Sequence, residues 1–233
     1  MESIDKVSGT FGKRPTETKA NVSSAVIRRL PRYHRCLGEL LRAGKLRISS
    51  AELSAIMDVT ASQIRQDLNC FGGFGQQGYG YNIKFLYNKI SELLGVNESY
   101  NAVIIGAGKL GRALAATHMF ERRGVNRLAM FDVDPAVIGT KIYDVPVYSV
   151  DELGDFCREH NVHIGVLTVP KEAAYHVASI ITEAGIKGIW NFANMELRLD
   201  NPDVIVENIH LGDSLMTLCY EIKTANEKRE KDD

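Results

Sequence analysis

Gly106, Gly108 and Gly111, in the run Ile105-Gly106-Ala107-Gly108-Lys109-Leu110-Gly111, have the spacing with which a backbone loop can hold a pyrophosphate. Gly106 suits the tight turn, Gly108 lets the backbone approach the phosphates, and Gly111 lets a following helix pack on a strand. The anion would rest on the N-terminus of that helix, where unpaired N–H groups and the helix dipole favour negative charge. Asp132, twenty-one residues beyond Gly111, is placed to accept hydrogen bonds from adenosine ribose hydroxyls. A carboxylate there repels a 2′-phosphate, so NAD is expected over NADP.

Those residues need a strand before the glycines, a helix after them and a second strand ending at the acid. Residues 100–132 supply that order: Tyr100 to Ile105 is apolar, Leu110 onward is helical, and an apolar run leads into Asp132. Downstream, Ser149-Val150-Asp151-Glu152 forms a capping box that leads a helix to His160. An apolar strand over His163–Val169, a helix over Lys171–Ala184 and strands over Gly188–Phe192 and Val204–Val206 follow. Such alternation implies a mostly parallel sheet covered on both faces, with ligand at the carboxyl ends of the strands. A last helix, about Asp213 to Lys228, carries Leu215, Leu218, Cys219 and Ile222 on one face. That face can cap its own domain or pack on a second subunit.

The N-terminal third is built differently. Apolar residues Ile27, Leu30, Leu37, Leu40 and Leu41 recur at helical spacing, with Pro31 taken to lie in a first turn. Ser49-Ser50-Ala51-Glu52 is a capping box opening a short helix through Met57, and Thr60-Ala61-Ser62-Gln63 is read as a second, opening a helix through about Asn69. Two short capped helices joined by a brief turn are a helix-turn-helix. The glycine-aromatic run Phe71 to Tyr81 then suits a hairpin wing, and Asn82 caps a helix with Ile83, Leu86, Ile90, Leu93 and Leu94.

In a helix-turn-helix the N-terminal residues of the second helix meet base edges, which nominates Ser62, Gln63, Arg65 and Gln66. Arg28, Arg29, Arg32 and Arg35 make the first helix positive and suited to phosphate. Charge agrees with this division. Residues 1–90 carry a balance of +7 and residues 91–233 one of −8, although the whole chain of 233 residues is at −1.

Other classes are disfavoured by composition. No segment approaches the roughly 20 apolar residues of a membrane span, and the first twenty residues have no apolar core of a secretory signal. Those twenty read as a mobile arm in which Lys13 and Arg14 can touch phosphate. Cys36, Cys70, Cys157 and Cys219 lie far apart and read as buried, reduced thiols of a cytoplasmic protein, with no metal site expected.

The motifs AVIRRLPRYHRCL, SSAEL, QIRQDLNCFGGFGQQGYGY, IIGAGKLGRALA, FDVDP, IGVLTVPKEAA, AGIKGIWNFA and VEN resemble those of the Rex redox-sensing transcriptional repressors over residues 22 to about 225. The resemblance implies an α/β chain: a winged helix-turn-helix DNA-binding domain (21–96), a Rossmann NAD(H)-binding domain (100–209) and a C-terminal dimerisation helix (210–228) exchanged between subunits of a homodimer. It implies binding to a palindromic double-stranded operator, released by NADH and permitted by NAD⁺. By position, Thr168, Val169 and Pro170, and Asn191, Phe192 and Ala193, would line the nucleotide site beside Gly106 to Gly111 and Asp132. Gln76, Gln77 and Tyr79 of the wing would join Arg29, Arg32 and the second helix on DNA.

Several positions depart from the pattern. Gln66, Gln76 and Gln77 stand where lysine or arginine is common, which removes phosphate contacts. His118 replaces a tyrosine, His210 an aspartate and Leu211 a large aromatic, at positions that the resemblance ties to a switch with Arg35. A relative that holds NAD but answers NADH weakly, or only at certain pH, is therefore the alternative. An NAD-dependent oxidoreductase using His118, His176 or His210 as base is disfavoured, because the nucleotide fold leaves little room for a substrate domain. A CoA-binding module is the other rival, since Asp132 does not examine the 3′-phosphate of CoA.

Overall fold

The computed structural model describes residues 23–70, 75–76 and 80–232. The arm over 1–20, and Gln77 and Tyr79, lie outside the described residues. The chain divides into two compact units, the second beginning at Gly95.

The first unit opens with helix α1, Ser24–Arg42, started by Ser23, whose hydroxyl accepts from the Val26 N–H. Its buried stripe is Val26, Leu30, Tyr33, Cys36 and Leu37, while Ile27 points away at 49% exposure. Pro31 is not in the first turn: it stands as the eighth residue of α1, where it leaves the Ile27 carbonyl without its usual helical donor. Strand β1, Arg47–Ile48, leads to α2, Ser50–Met57, whose Ser49–Glu52 capping box forms in full. Lys45 and the Ser49 backbone N–H hold the Glu52 carboxyl down at about 2. Asp58 ends α2 in the left-handed conformation, and Thr60 caps α3, Ala61–Asn69, through the Gln63 N–H at 3.2 Å. This second box is only half made, because the Gln63 side chain turns to Asp67 instead. Strands β2, Gly75–Gln76, and β3, Gly80–Asn82, pair antiparallel as the wing, and β1 adds to β3. Asn82 then caps α4, Ile83–Leu93, through the Phe85 N–H at 2.9 Å. Ile83, Leu86 and Ile90 complete the core, whereas Leu93 is half exposed.

The second unit is a seven-stranded sheet of order β10-β9-β8-β4-β5-β7-β6. Its strands are β4 Tyr100–Ile105, β5 Val125–Asp132, β6 Lys141–Ile142, β7 Val145–Ser149, β8 Ile164–Leu167, β9 Gly188–Asn191 and β10 Ile205–Asn208. All neighbours run parallel except β6 with β7. That hairpin was not legible in the sequence: its turn residues Tyr143 and Asp144 both adopt positive φ, a conformation announced by Asn-Gly or Asp-Gly and not by Tyr-Asp. Helix α5, Lys109–Ala115, covers one face, and α6, Leu153–Glu159, with α7, Lys171–Glu183, covers the other. The Ser149 box forms, but it opens a 3₁₀ turn over Val150–Glu152 before α6 begins. No helix joins β9 to β10, and on the α5 side Met119, Phe120, Ile164, Trp190 and Ile205 line an open apolar cleft.

The chain ends in α8, Leu211–Asp232, and this helix does not cap its own domain. Leu215, Met216, Leu218, Tyr220 and Ile222 are all at least half exposed. Cys219 on α8 and Cys70 after α3 are exposed, contrary to the expectation of four buried thiols; Cys36 and Cys157 are buried, and burial pushes the Cys157 thiol up to about 11. Among the described residues no helix is long and apolar enough to cross a membrane, and no three His, Cys, Asp or Glu are grouped to hold a metal.

The packing of α5 predicts opposite outcomes for two glycines. A Cβ at Gly111 would stand 1.9 Å from the Gly106 carbonyl oxygen, whereas one at Gly108 would meet nothing within 4 Å. Gly111→Ala is expected to destabilise the second unit by about 3 kcal/mol or more, as overpacking against rigid backbone does. Gly108→Ala is expected to cost less than about 1 kcal/mol. Urea unfolding of the full chain followed in the second unit checks both.

Candidate functional site

Strand order reverses between β4 and β8, and the loops after these two strands meet at that point. This is the crevice in which open parallel sheets hold ligands. Gly106 leaves β4 with φ of 101°, and a Cβ there would lie 2.6 Å from the Thr168 carbonyl oxygen. Thr168 closes the junction: its Oγ1 donates to the carbonyls of Ile105 and Gly106, at 3.0 and 2.8 Å. Gly108 is the N-cap of α5 with no side-chain cap, so the first-turn N–H groups remain open to an anion.

Ala107 is clamped from both sides. Its N–H donates to Asp132 Oδ2 at 2.5 Å, and its carbonyl accepts from Arg112 Nε at 2.7 Å. Asp132 Oδ1 accepts from the Val133 and Asp134 N–H groups at 2.7 and 3.0 Å. Three of about four carboxylate acceptor positions are therefore used by backbone, and the one left on Oδ2 is open to a ribose hydroxyl. Arg112 was not singled out in the sequence, since a basic residue in the middle of a helix carries no signal of what its long side chain will reach. Lys109 is exposed and Leu110 half-buried at the mouth of the loop.

The later loops divide. Val169 is half-buried and Pro170 exposed at the N-terminus of α7. The Asn191 side chain is turned inward: it is fully buried, its Nδ2 donates to Met195 O and Asn208 Oδ1, and its Oδ1 accepts from the Ala193 N–H. It shapes the loop that carries Phe192, stacked edge-on against Trp190 at 4.6 Å, and buried Ala193.

His118 lies past the end of α5, exposed in the turn before Glu121. His210 precedes α8 and has an acidic partner that the sequence did not offer: its Nε2 is 3.0 Å from Glu196 Oε1. The two are fourteen residues apart, joined only because the β9–β10 connection folds back. Leu211 begins α8 at 64% exposure.

In the first unit, Asp67 of α3 is fully buried and receives four donors. Arg29 Nε and Nη2 each donate at 2.7 Å, Tyr33 Oη at 2.9 Å and Gln63 Nε2 at 2.8 Å. Burial opposes the charge on Asp67, but the bonds from Arg29, Gln63 and Tyr33 outweigh it and hold the carboxyl below its ordinary range. Burial, then the bond to Asp67, pushes the Tyr33 phenol far up. Arg29 is thus committed to joining α1 with α3, which revises its reading as a free phosphate contact. Arg32 is likewise engaged, donating from Nη2 to the Met57 carbonyl at the end of α2. Arg65 Nη1 donates to Ser50 Oγ at 3.0 Å and the rest of its fork stays exposed, as do Ser62, Gln66 and Arg35.

Comparisons with known proteins agree with this geometry. Residues 21–69 match the family model described as a putative DNA-binding protein N-terminus, and residues 97–195 the model described as a CoA binding domain. The redox-sensing transcriptional repressor Rex of Caldanaerobacter subterraneus subsp. tengcongensis is 53% identical over 88% of this chain and 91% of its own. The crystal structure of RSP with β-NAD⁺ and operator DNA is similar at a TM-score of 0.83 and 52% identity, covering 90% of this chain and 96% of that one. RSP with β-NADH is similar at 0.83 and 48%, over 91% and 99%.

The Asp67 cluster predicts an acid-sensitive first unit. Breaking a buried pair costs roughly 3–5 kcal/mol, and Arg29→Met is expected near the lower end because the Arg29 side chain is 32% exposed. A carboxyl held below its ordinary range stabilises the fold at pH above about 4 and loses that contribution as pH falls through its lower folded value. Asp67→Asn should therefore flatten the fall in stability below that pH, as read from denaturant midpoints across pH.

Proposed function

The chain belongs to the family of Rex redox-sensing transcriptional repressors, and on that premise we propose that it represses transcription by holding an operator duplex whose release follows the NADH/NAD⁺ ratio. The observation that carries this reading is one chain with both parts: a helix-turn-helix with its wing, and a glycine loop with Asp132 at the switch point of a parallel sheet. Nucleotide enters as NAD(H), in keeping with the two nucleotide complexes of RSP. The pyrophosphate rests on Gly106 to Gly111, the adenosine ribose on Asp132, and the backbone after Thr168 and Asn191 lines the nicotinamide side. The negative charge of Asp132 disfavours a 2′-phosphate.

On DNA, Ser62, Gln63, Arg65 and Gln66 face the bases, while the wing and the remaining basic surface of α1 meet phosphate. Binding without turnover is the simplest account of a nucleotide fold joined to a helix-turn-helix with no substrate domain among the described residues, so the protein is a sensor of its nucleotide and not a catalyst. It acts where the chromosome is, in the cytoplasm. It works as a homodimer, in which a partner covers the exposed apolar face of α8; a two-fold dimer fits a palindromic duplex.

A second reading rests on one observation, the His210–Glu196 contact at 3.0 Å. Glu196 holds the imidazole that stands where the resemblance places a switch aspartate, which makes the NADH response weaker.

Operator retention measured across NADH/NAD⁺ ratios tests the main reading. NADH is expected to release the duplex and NAD⁺ to preserve it; retention indifferent to both nucleotides overturns the proposal. Asp132→Ala is expected to require about tenfold more NADH, the loss of one charge-assisted hydrogen bond of about 1.5 kcal/mol, and to narrow the preference over NADPH. Repeating the titration with Glu196→Gln decides the second reading, which an unchanged NADH response sinks. Leu218→Asp, which places a charge on the apolar face of α8, should shift the mass in solution toward the monomer without loss of helicity.

A further inference from the structure

Gln63 is the third residue of α3, in the first turn, which meets base edges in a helix-turn-helix. Its backbone N–H is already taken by Thr60 Oγ1, and its side chain is bound to Asp67 at 2.8 Å. The direction of that bond follows from charge. An ionised carboxylate only accepts, so the end of the amide facing Asp67 is Nε2, and Oε1 is turned away. Arg29, placed bidentate on the same carboxylate, keeps Asp67 charged, and Tyr33 adds a third side chain.

An amide nitrogen has two hydrogens. With one on Asp67, Gln63 retains one N–H beside Oε1, a donor next to an acceptor. That pair matches adenine in the major groove, with its N7 acceptor and N6 donor. The flipped amide would turn its oxygen toward a carboxylate and leave two N–H groups outward, which suit the O6 and N7 acceptors of guanine. Repulsion between Oε1 and Asp67 removes that option.

We infer that Asp67, buried and out of reach of DNA, sets base preference by fixing the Gln63 amide in its adenine-reading orientation, so that it is a positioning residue for operator recognition. The inference rests on the DNA-binding reading above. A purely structural Asp67 would need Arg29 and Tyr33 but would have no consequence for which base Gln63 accepts.

The test uses the full-length chain. The duplex best retained by the wild-type chain from a randomised library is remade with every single base-pair change, and binding is measured for each. One base pair per half-site is expected to favour A over G by about tenfold or more, the worth of a good bidentate contact. Gln63→Ala should abolish the preference at that pair alone. Asp67→Asn should narrow it to within about threefold there while leaving the ranking elsewhere unchanged, because a neutral amide accepts either flip. Tyr33→Phe, which leaves Asp67 charged, should keep the preference although it lowers stability. Uniform weakening by Asp67→Asn with the ratio preserved, or unchanged base preferences in Gln63→Ala, would overturn the inference. Should Asp67→Asn fail to fold, the side-chain amide protons of Gln63 in the ¹⁵N-labelled wild-type chain decide it. They should exchange with water at least several-fold more slowly than those of Gln66, and equal exchange overturns the inference. Recovery of no preferred duplex by the wild-type chain would overturn the DNA-binding reading itself.

Discussion

Helix α5 approaches the end of β4 so closely that there is no space for a side chain at Gly111, and the geometry of the glycine loop depends on that approach. It sets the first-turn N–H groups of α5 against the crevice, brings Thr168 across to bond the carbonyls of Ile105 and Gly106, and leaves Gly108 facing open space. Bare backbone dipoles favour an anion only if they cannot turn away from it. Arg112 and Asp132, clamping Ala107 from its two sides, supply that rigidity.

The two acids on which the units turn solve the same problem in different ways. A carboxylate taken out of water must find donors or give up its charge. Asp132, half-exposed, takes three backbone N–H groups and keeps a lone pair open toward solvent, where a ribose can use it. Asp67, fully buried, takes four side-chain donors and keeps none. The first acid can therefore meet a ligand directly. The second can act only through the groups that it holds, and it ties α1, which carries Arg29 and Tyr33, to α3.

The parts of the fold that rest on short-range signals were legible. Capping residues Ser49, Asn82 and Ser149 act through neighbours three residues away or fewer, and each does so here. The glycine spacing marked its strand, loop and helix for the same reason. Misreadings came where a local pattern competed with a distant partner. Gln63 left its half of the capping box, where its Oε1 would accept from the Thr60 N–H, because its Nε2 donates to a buried carboxylate instead, and the Asn191 side chain turns inward to Met195 and to Asn208 at the end of β10, partners that no local spacing announces. The Tyr143–Asp144 turn lacked the glycine that usually announces two successive positive φ angles.

The sequence by itself determined the kinds of units and their order, the position of the glycine loop, the acid beyond it and the second helix of the helix-turn-helix, since all of these are written in spacings of a few residues or in one periodic pattern. Only the tertiary structure decided which charged groups are free to meet a ligand. Arg29 and Asp67 are thirty-eight residues apart, His210 and Glu196 fourteen, and Ala107 and Asp132 twenty-five. Charges in folded proteins are satisfied by proximity in space, and proximity at those separations is set by how the helices and strands pack.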